Sequence, residues 1–167
     1  MGRTMMSYNA FGKIDHLVWT PTMNTGGTDA GDVAAATERI TDLTDTTITM
    51  MQQDGGTAIL ENVVVYDKDD VASGDYDIYI LRTDVALGTE DAAISITDAN
   101  MTEILAVISC TTWEDLINSK VCVDQTNLGI TLRAPNGVSD LYGAVVDRAG
   151  VTATATGFVV RFGLVYT

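Results

Sequence analysis

Apolar and polar positions alternate with a period of two over short runs, and Gly, Asn, Asp and Pro separate the runs, so the chain predicts strands rather than helices. The run over residues 158–166 is the clearest: Phe158, Val160, Phe162, Leu164 and Tyr166 fall on one side, and Val159, Arg161, Gly163 and Val165 on the other. Residues 76–82 repeat the pattern with Tyr76, Ile78 and Ile80 against Asp77, Tyr79 and Leu81, and residues 14–19 repeat it before the Thr20-Pro21 break. Residues 59–66 form a nearly continuous apolar run with only Glu61 and Asn62 polar, the pattern of a strand buried on both faces. Residues 46–51 alternate threonine with Ile48 and Met50, which predicts another strand.

Two stretches are ambiguous. Residues 31–43 carry the Ala and Glu of a helix, yet Gly31-Asp32 and the Thr-rich sequel bound them closely, which favours a strand. Residues 85–101 read as strand, acidic turn at Glu90-Asp91, strand, and then one helical turn capped by Asn100 three residues before Glu103. Further strands are expected at 106–110, 120–124, 129–134 and 141–147. The sum is an all-β fold: a single-domain antiparallel β-sandwich, jelly-roll-like, of about ten short strands over residues 13–167. Residues 1–12 lack any period and read as an N-terminal arm that orders against a partner.

A chain of 167 residues is long enough for one self-sufficient core, since folding at that size hides roughly 70% of the unfolded surface. The formal net charge of −14 repels phosphate backbones and anionic lipid, which argues against nucleic-acid and membrane partners. No apolar run reaches the roughly 20 residues of a membrane span, and the first residues lack a signal-peptide core, so a soluble product made in the producer's cytoplasm is expected.

Candidate chemistry is sparse. His16 is the single histidine and sits in a strand pattern. No serine occupies a GxSxG elbow, and no glycine run cradles a phosphate. No enzyme activity and no cofactor are therefore expected. The sharpest ionic candidates are Asp67, Asp69 and Asp70, with Asp75 and Asp77 following, because several carboxylates on one loop suit a hard cation. They lack the EF-hand pattern, Lys68 weakens their field, and a solvated loop is the plainer reading. Tyr66, Tyr76, Tyr79 and Tyr142 could build a sugar platform, although their alternation with aliphatics favours packing. Cys110 and Cys122 have no metal-ligand spacing and read as buried thiols, or as a disulfide across an antiparallel pair.

Several segments in order resemble the capsid decoration, or cement, proteins of tailed bacteriophages. They are AGDV at 30–33, VVVYDKDD at 63–70, YDIYILR at 76–82, LGTEDAAISITDA at 87–99, LGITLRAPNGVSDLYGAVVDRAG at 128–150 and FVVRFGLVY at 158–166. The resemblance implies a sandwich or jelly-roll subunit that binds the major capsid protein on the outer surface of an icosahedral virion, bridges its subunits and stabilises the shell. It implies a homo-oligomer, with a trimer favoured. The arm, through Met5, Met6, Tyr8 and Phe11, is the expected capsid contact. The alternative function is a carbohydrate- or receptor-binding β-sandwich module of a phage fibre or tail.

Overall fold

A computed structural model describes residues 14–45, 47, 49–69 and 74–167. The expected arm, with Met5, Met6, Tyr8 and Phe11, and the candidate Asp70 lie outside the described residues.

Nine strands and one short helix follow in order among the described residues: β1 (Ile14–Trp19), β2 (Val33–Arg39), β3 (Thr57–Asp67), β4 (Tyr76–Leu81), α1 (Asp98–Met101), β5 (Ile104–Cys110), β6 (Glu114–Asp115), β7 (Lys120–Arg133), β8 (Tyr142–Asp147) and β9 (Phe158–Tyr166). One sheet has the order β1-β9-β3-β7-β6 and the other β2-β8-β4-β5, with every pair antiparallel. The chain is an all-β sandwich. The pairing is nested: β1 lies beside the last strand, β9, and β2 beside the next to last, β8.

The period-two pattern explains the core between the sheets. Leu17, Trp19, Leu60, Val63, Val65, Phe158, Val160, Phe162 and Leu164 point inward from one sheet and meet Tyr76, Ile78, Ile80, Ala106, Ile108 and Val145 of the other. Trp19 stacks on Phe162 with ring centroids 6.3 Å apart, and Tyr76 meets Phe158 edge-on at 4.8 Å. β4 is buried along its whole length because both of its faces are covered. The outer side, Tyr79 and Leu81, joins Val33, Leu87, Ala144 and Val146 in a second cluster roofed by Val85, Ile94 and Ile96.

That roof corrects the reading of residues 85–96 as two strands. The segment makes only isolated bridges, from Asp32 to Ala93 and from Val33 to Glu90, while its aliphatics pack onto the outer face of the four-stranded sheet. Its helical turn does form, but the cap is Thr97, whose side chain accepts from the Asn100 N–H. The described residues of 46–51, namely 47 and 49–51, also form no strand. The described part contributes one bridge, Thr41 to Thr49, and the consecutive residues Met50 and Met51 are both buried, which no alternating strand on a single core face allows. Conversely, the runs at 120–124 and 129–134 belong to one strand. Residues 127–129 of β7 oppose only Glu61, with Asn127 and Gly129 left-handed at φ 56° and 62°, so a turn-like sequence is a bulge inside a continuous ladder.

Three tyrosines make the fold alkali-sensitive. Burial, reinforced by the charge of Asp15, pushes the Tyr166 phenol up to about 12 against an opposing contact from Gln52. Burial likewise raises Tyr76, helped by the Asp147, Asp67 and Asp69 charges, and raises Tyr79. A folded pKa above the unfolded value stabilises the protein below the unfolded value, and the benefit disappears as pH climbs toward the folded one. Stability is therefore expected to be intact up to about pH 10, the ordinary tyrosine value, and to fall above it. Tyrosinate absorbance rising in step with loss of the near-ultraviolet circular dichroism signal is the expected result. Full ionisation of all six tyrosines with the fold intact would contradict it.

Candidate functional site

The acids expected to form a solvated loop are in large part structural. Asp67 and Asp77 are 3% and 9% exposed. Asp77 Oδ2 accepts from Arg148 Nε at 2.7 Å, and its Oδ1 accepts from Ser109 Oγ at 2.5 Å. Asp69 accepts from the Thr154 N–H at 2.7 Å and from its hydroxyl at 2.9 Å, while Asp69 N donates to Asp67 Oδ1. Lys68 is exposed, as a solvated loop requires. Among the described residues no group of three or more His, Cys, Asp or Glu side chains could hold a metal ion.

The same use of carboxylates recurs. Asp147, fully buried, accepts from Thr28 Oγ1 and from the N–H groups of Ala149, Gly150 and Val151. Asp42 accepts from Val18 N and from both donors of Thr44, and Asp45 accepts from both donors of Thr47. Sequence reasoning passed over these residues, although the spacings Asp-x-Thr and Asp-Arg-Ala-Gly are the signatures of turns closed by a side-chain oxygen. A share of the acidic excess thus organises loops, and β-sandwich ends that would otherwise carry orphan N–H groups are satisfied.

His16 is exposed on β1, paired in register with Gly163. The tyrosines do not converge on a platform. Tyr76 lies in the inter-sheet core, Tyr79 and Tyr142 belong to the cluster outside the four-stranded sheet, and Tyr66 sits on the opposite outer face. Cys110 and Cys122 are both buried, but on β5 and β7 of different sheets, opposite Tyr76 and Val65 respectively. The expected placement across one antiparallel pair is therefore corrected: any meeting of these thiols is between layers.

What the topology does bring together is an apolar face. The residues of the five-stranded sheet that alternate with the core point away from it, and their registers align them in rows: Val121, Tyr66 and Val159; Val18, Arg161 and Val64; then a polar row of His16, Gly163 and Asn62; and last Val165 and Ile59. None of them belongs to either hydrophobic cluster. Val159 is 7% exposed, and Arg161 and the other apolar members are half-buried. The two outer faces are thus treated unequally. The four-stranded sheet is roofed by residues 85–96, whereas no comparable apolar cluster covers the five-stranded sheet among the described residues. At the centre of this face the buried Nε–H of Arg161 has no acceptor among the described residues.

The chain matches no protein-family model and no curated protein. Among the described residues no helix is long and apolar enough to cross a membrane.

Proposed function

We propose that this protein is a structural, non-enzymatic virion protein that decorates an icosahedral phage capsid from outside, bridging and stabilising major capsid protein subunits. The observation that carries this reading is the apolar outer face of the five-stranded sheet, built from Val18, Ile59, Val64, Tyr66, Val121 and Val165. Flat β-branched surface of this kind gains free energy when covered by a partner, at roughly 25 cal/mol per Å² of apolar area. The half-buried Arg161 side chain adds a positive charge to this face, which a partner's carboxylate complements.

Two further features support the reading. We take the nested strand order as a jelly roll, an architecture that viral capsid domains share with lectins. The net charge of −14 suits a protein that faces solvent and stays soluble when many copies crowd one shell. The proposal includes self-association, with a trimer favoured, and a contribution to binding from Met5, Met6, Tyr8 and Phe11 of the arm. The carbohydrate-binding alternative finds no aromatic platform in the dispersed tyrosines.

The test is co-sedimentation of the purified protein with undecorated particles of the producing phage. Val64→Lys places a cation opposite Arg161 on this half-buried face, so it should cost about 1 kcal/mol of folding stability while leaving the chain folded. It should nevertheless weaken particle binding about tenfold or more, the loss expected when a central contact is broken. Deleting residues 2–12 should leave the melting temperature nearly unchanged while reducing occupancy or the heat resistance of the particle. Absence of the protein from purified particles, or full binding by Val64→Lys, would overturn the reading. A strict monomer in analytical ultracentrifugation, with monomeric density on the shell, would remove the trimer.

A further inference from the structure

A second feature, independent of the capsid reading, lies at the edge of the sandwich formed by β1 and β2, opposite β5 and β6. A cleft of about 230 Å³ opens between the end of β1, the end of β2 and the loop that follows, lined among others by Trp19, Thr20, Glu38, Arg39, Asp42 and Leu43. Its charged groups are two carboxylates, Glu38 and Asp42, and one guanidinium, Arg39. Glu38 Oε1 accepts from the Trp19 indole N–H at 3.0 Å and from Thr22 N at 3.2 Å, and Oε2 accepts nothing among the described residues. Asp42 is 8% exposed and fixed by Val18 and Thr44. The Thr20 hydroxyl is buried with no hydrogen-bond partner among the described residues.

The charges leave an unanswered negative surplus. Arg39 is the cleft's cation, but its guanidinium lies 3.7 Å from Asp140 and is half-exposed, so Glu38 and Asp42 are not neutralised by it. Burial opposes the charge on Asp42, yet the donors of Thr44, Val18 and Asp45 outweigh it and hold the carboxyl below its usual value, so it is ionised at neutral pH. The second Glu38 oxygen and the net negative charge of the lining favour a group that brings donors and positive charge.

We propose that this cleft receives the side chain of a lysine or arginine presented by a partner protein. The cationic head meets Glu38 Oε2 and the Thr20 hydroxyl, and the methylene stem lies against Leu43, which is 54% exposed at the rim. A saccharide is the poorer fit. Sugar rings stack on exposed aromatic faces, and Trp19 is 2% exposed, its ring held against Phe162 and Gly143.

The experiment is a titration of the ¹⁵N-labelled whole chain with N-acetyl-arginine amide and N-acetyl-lysine amide, followed by the N–H signals of Thr22, Leu43 and the Trp19 indole. Saturable shifts with a Kd on the order of 1 mM are expected for a single side chain, weakened by salt as screening requires. The neutral N-acetyl-citrulline amide and methyl glucoside serve as comparators. Thr20→Val removes the unpartnered hydroxyl without changing shape. It should weaken binding by about threefold or more while leaving the Tm no lower, since no hydrogen bond within the chain is lost. Leu43→Ala, at an exposed position, should also weaken binding with the fold unchanged. Equal shifts with citrulline, tighter binding of the glucoside, or unaltered affinity in both variants would each overturn the proposal.

Discussion

Replacing Asp147 by alanine is expected to destabilise the protein by about 3–5 kcal/mol, because it strands several buried donors at once. The carboxylate is fully buried and accepts from Thr28 Oγ1 at 2.5 Å, Ala149 N at 2.7 Å, Gly150 N at 3.0 Å and Val151 N at 2.7 Å. It thereby closes the turn after β8 and fastens it to the loop between β1 and β2, 119 residues away in sequence. Water cannot reach the vacated position without opening that end of the sandwich. Asp147→Asn keeps the volume but turns an amide toward N–H groups, so it should recover only part of the loss. Urea unfolding measures both. A shift under about 1 kcal/mol for Asp147→Ala would mean that the donors find other partners.

The second large effect is expected from one added methyl group. A Cβ at Gly143 would stand 2.5 Å from Trp19 Cη2 and 2.9 Å from Cζ3, well inside contact distance. The indole cannot retreat, since it stacks on Phe162 and donates to Glu38. Gly143→Ala should therefore cost about 3 kcal/mol, the upper part of the range for overpacked cores. The partner identifies the cause: in a Trp19→Phe background the same change should cost much less, giving a coupling energy on the order of 1–2 kcal/mol between touching residues. Additive losses in the double variant would place the strain elsewhere.

The readings that succeeded share one physical property. Where a strand buries a single face, as in β1 and β9, the alternation of side chains reports the pleat directly, and the sandwich is legible. Residues 85–96 failed because Leu87, Ile94 and Ile96 bury themselves on a sheet face without joining a ladder, and burial alone does not distinguish the two. Residues 46–51 failed because a threonine such as Thr47 can answer to an aspartate two residues earlier as well as to a neighbouring strand. The bulge at Asn127 and Gly129 failed because left-handed residues also make turns. The candidate site was legible only in part. Val159, Arg161 and Val165 are visible in the sequence as the far side of β9, but which face receives a roof is decided by long-range pairing. The clefted edge was not foreseen, because it is assembled from the ends of β1 and β2 and the turn at Asp42, which only the pairing of the strands brings together.

The nested pairing also sets a clock. β9 lies between β1 and β3, so nothing joins β1 to the rest of the five-stranded sheet until residues 158–166 exist, and β1 has no ladder partner for the whole time that residues 20–157 are being synthesised. Such sequence-distant closure makes folding slow, in the range of milliseconds to seconds, and makes it follow rather than accompany synthesis. A chain interrupted before β9 would leave β1 and β3 with bare edges, open to pairing with other chains, and would lack the row of Val159, Arg161 and Val165 altogether. A partner that docks on that row, as the proposed function requires, would therefore read completion as well, and incomplete chains would fail at that step without a separate check.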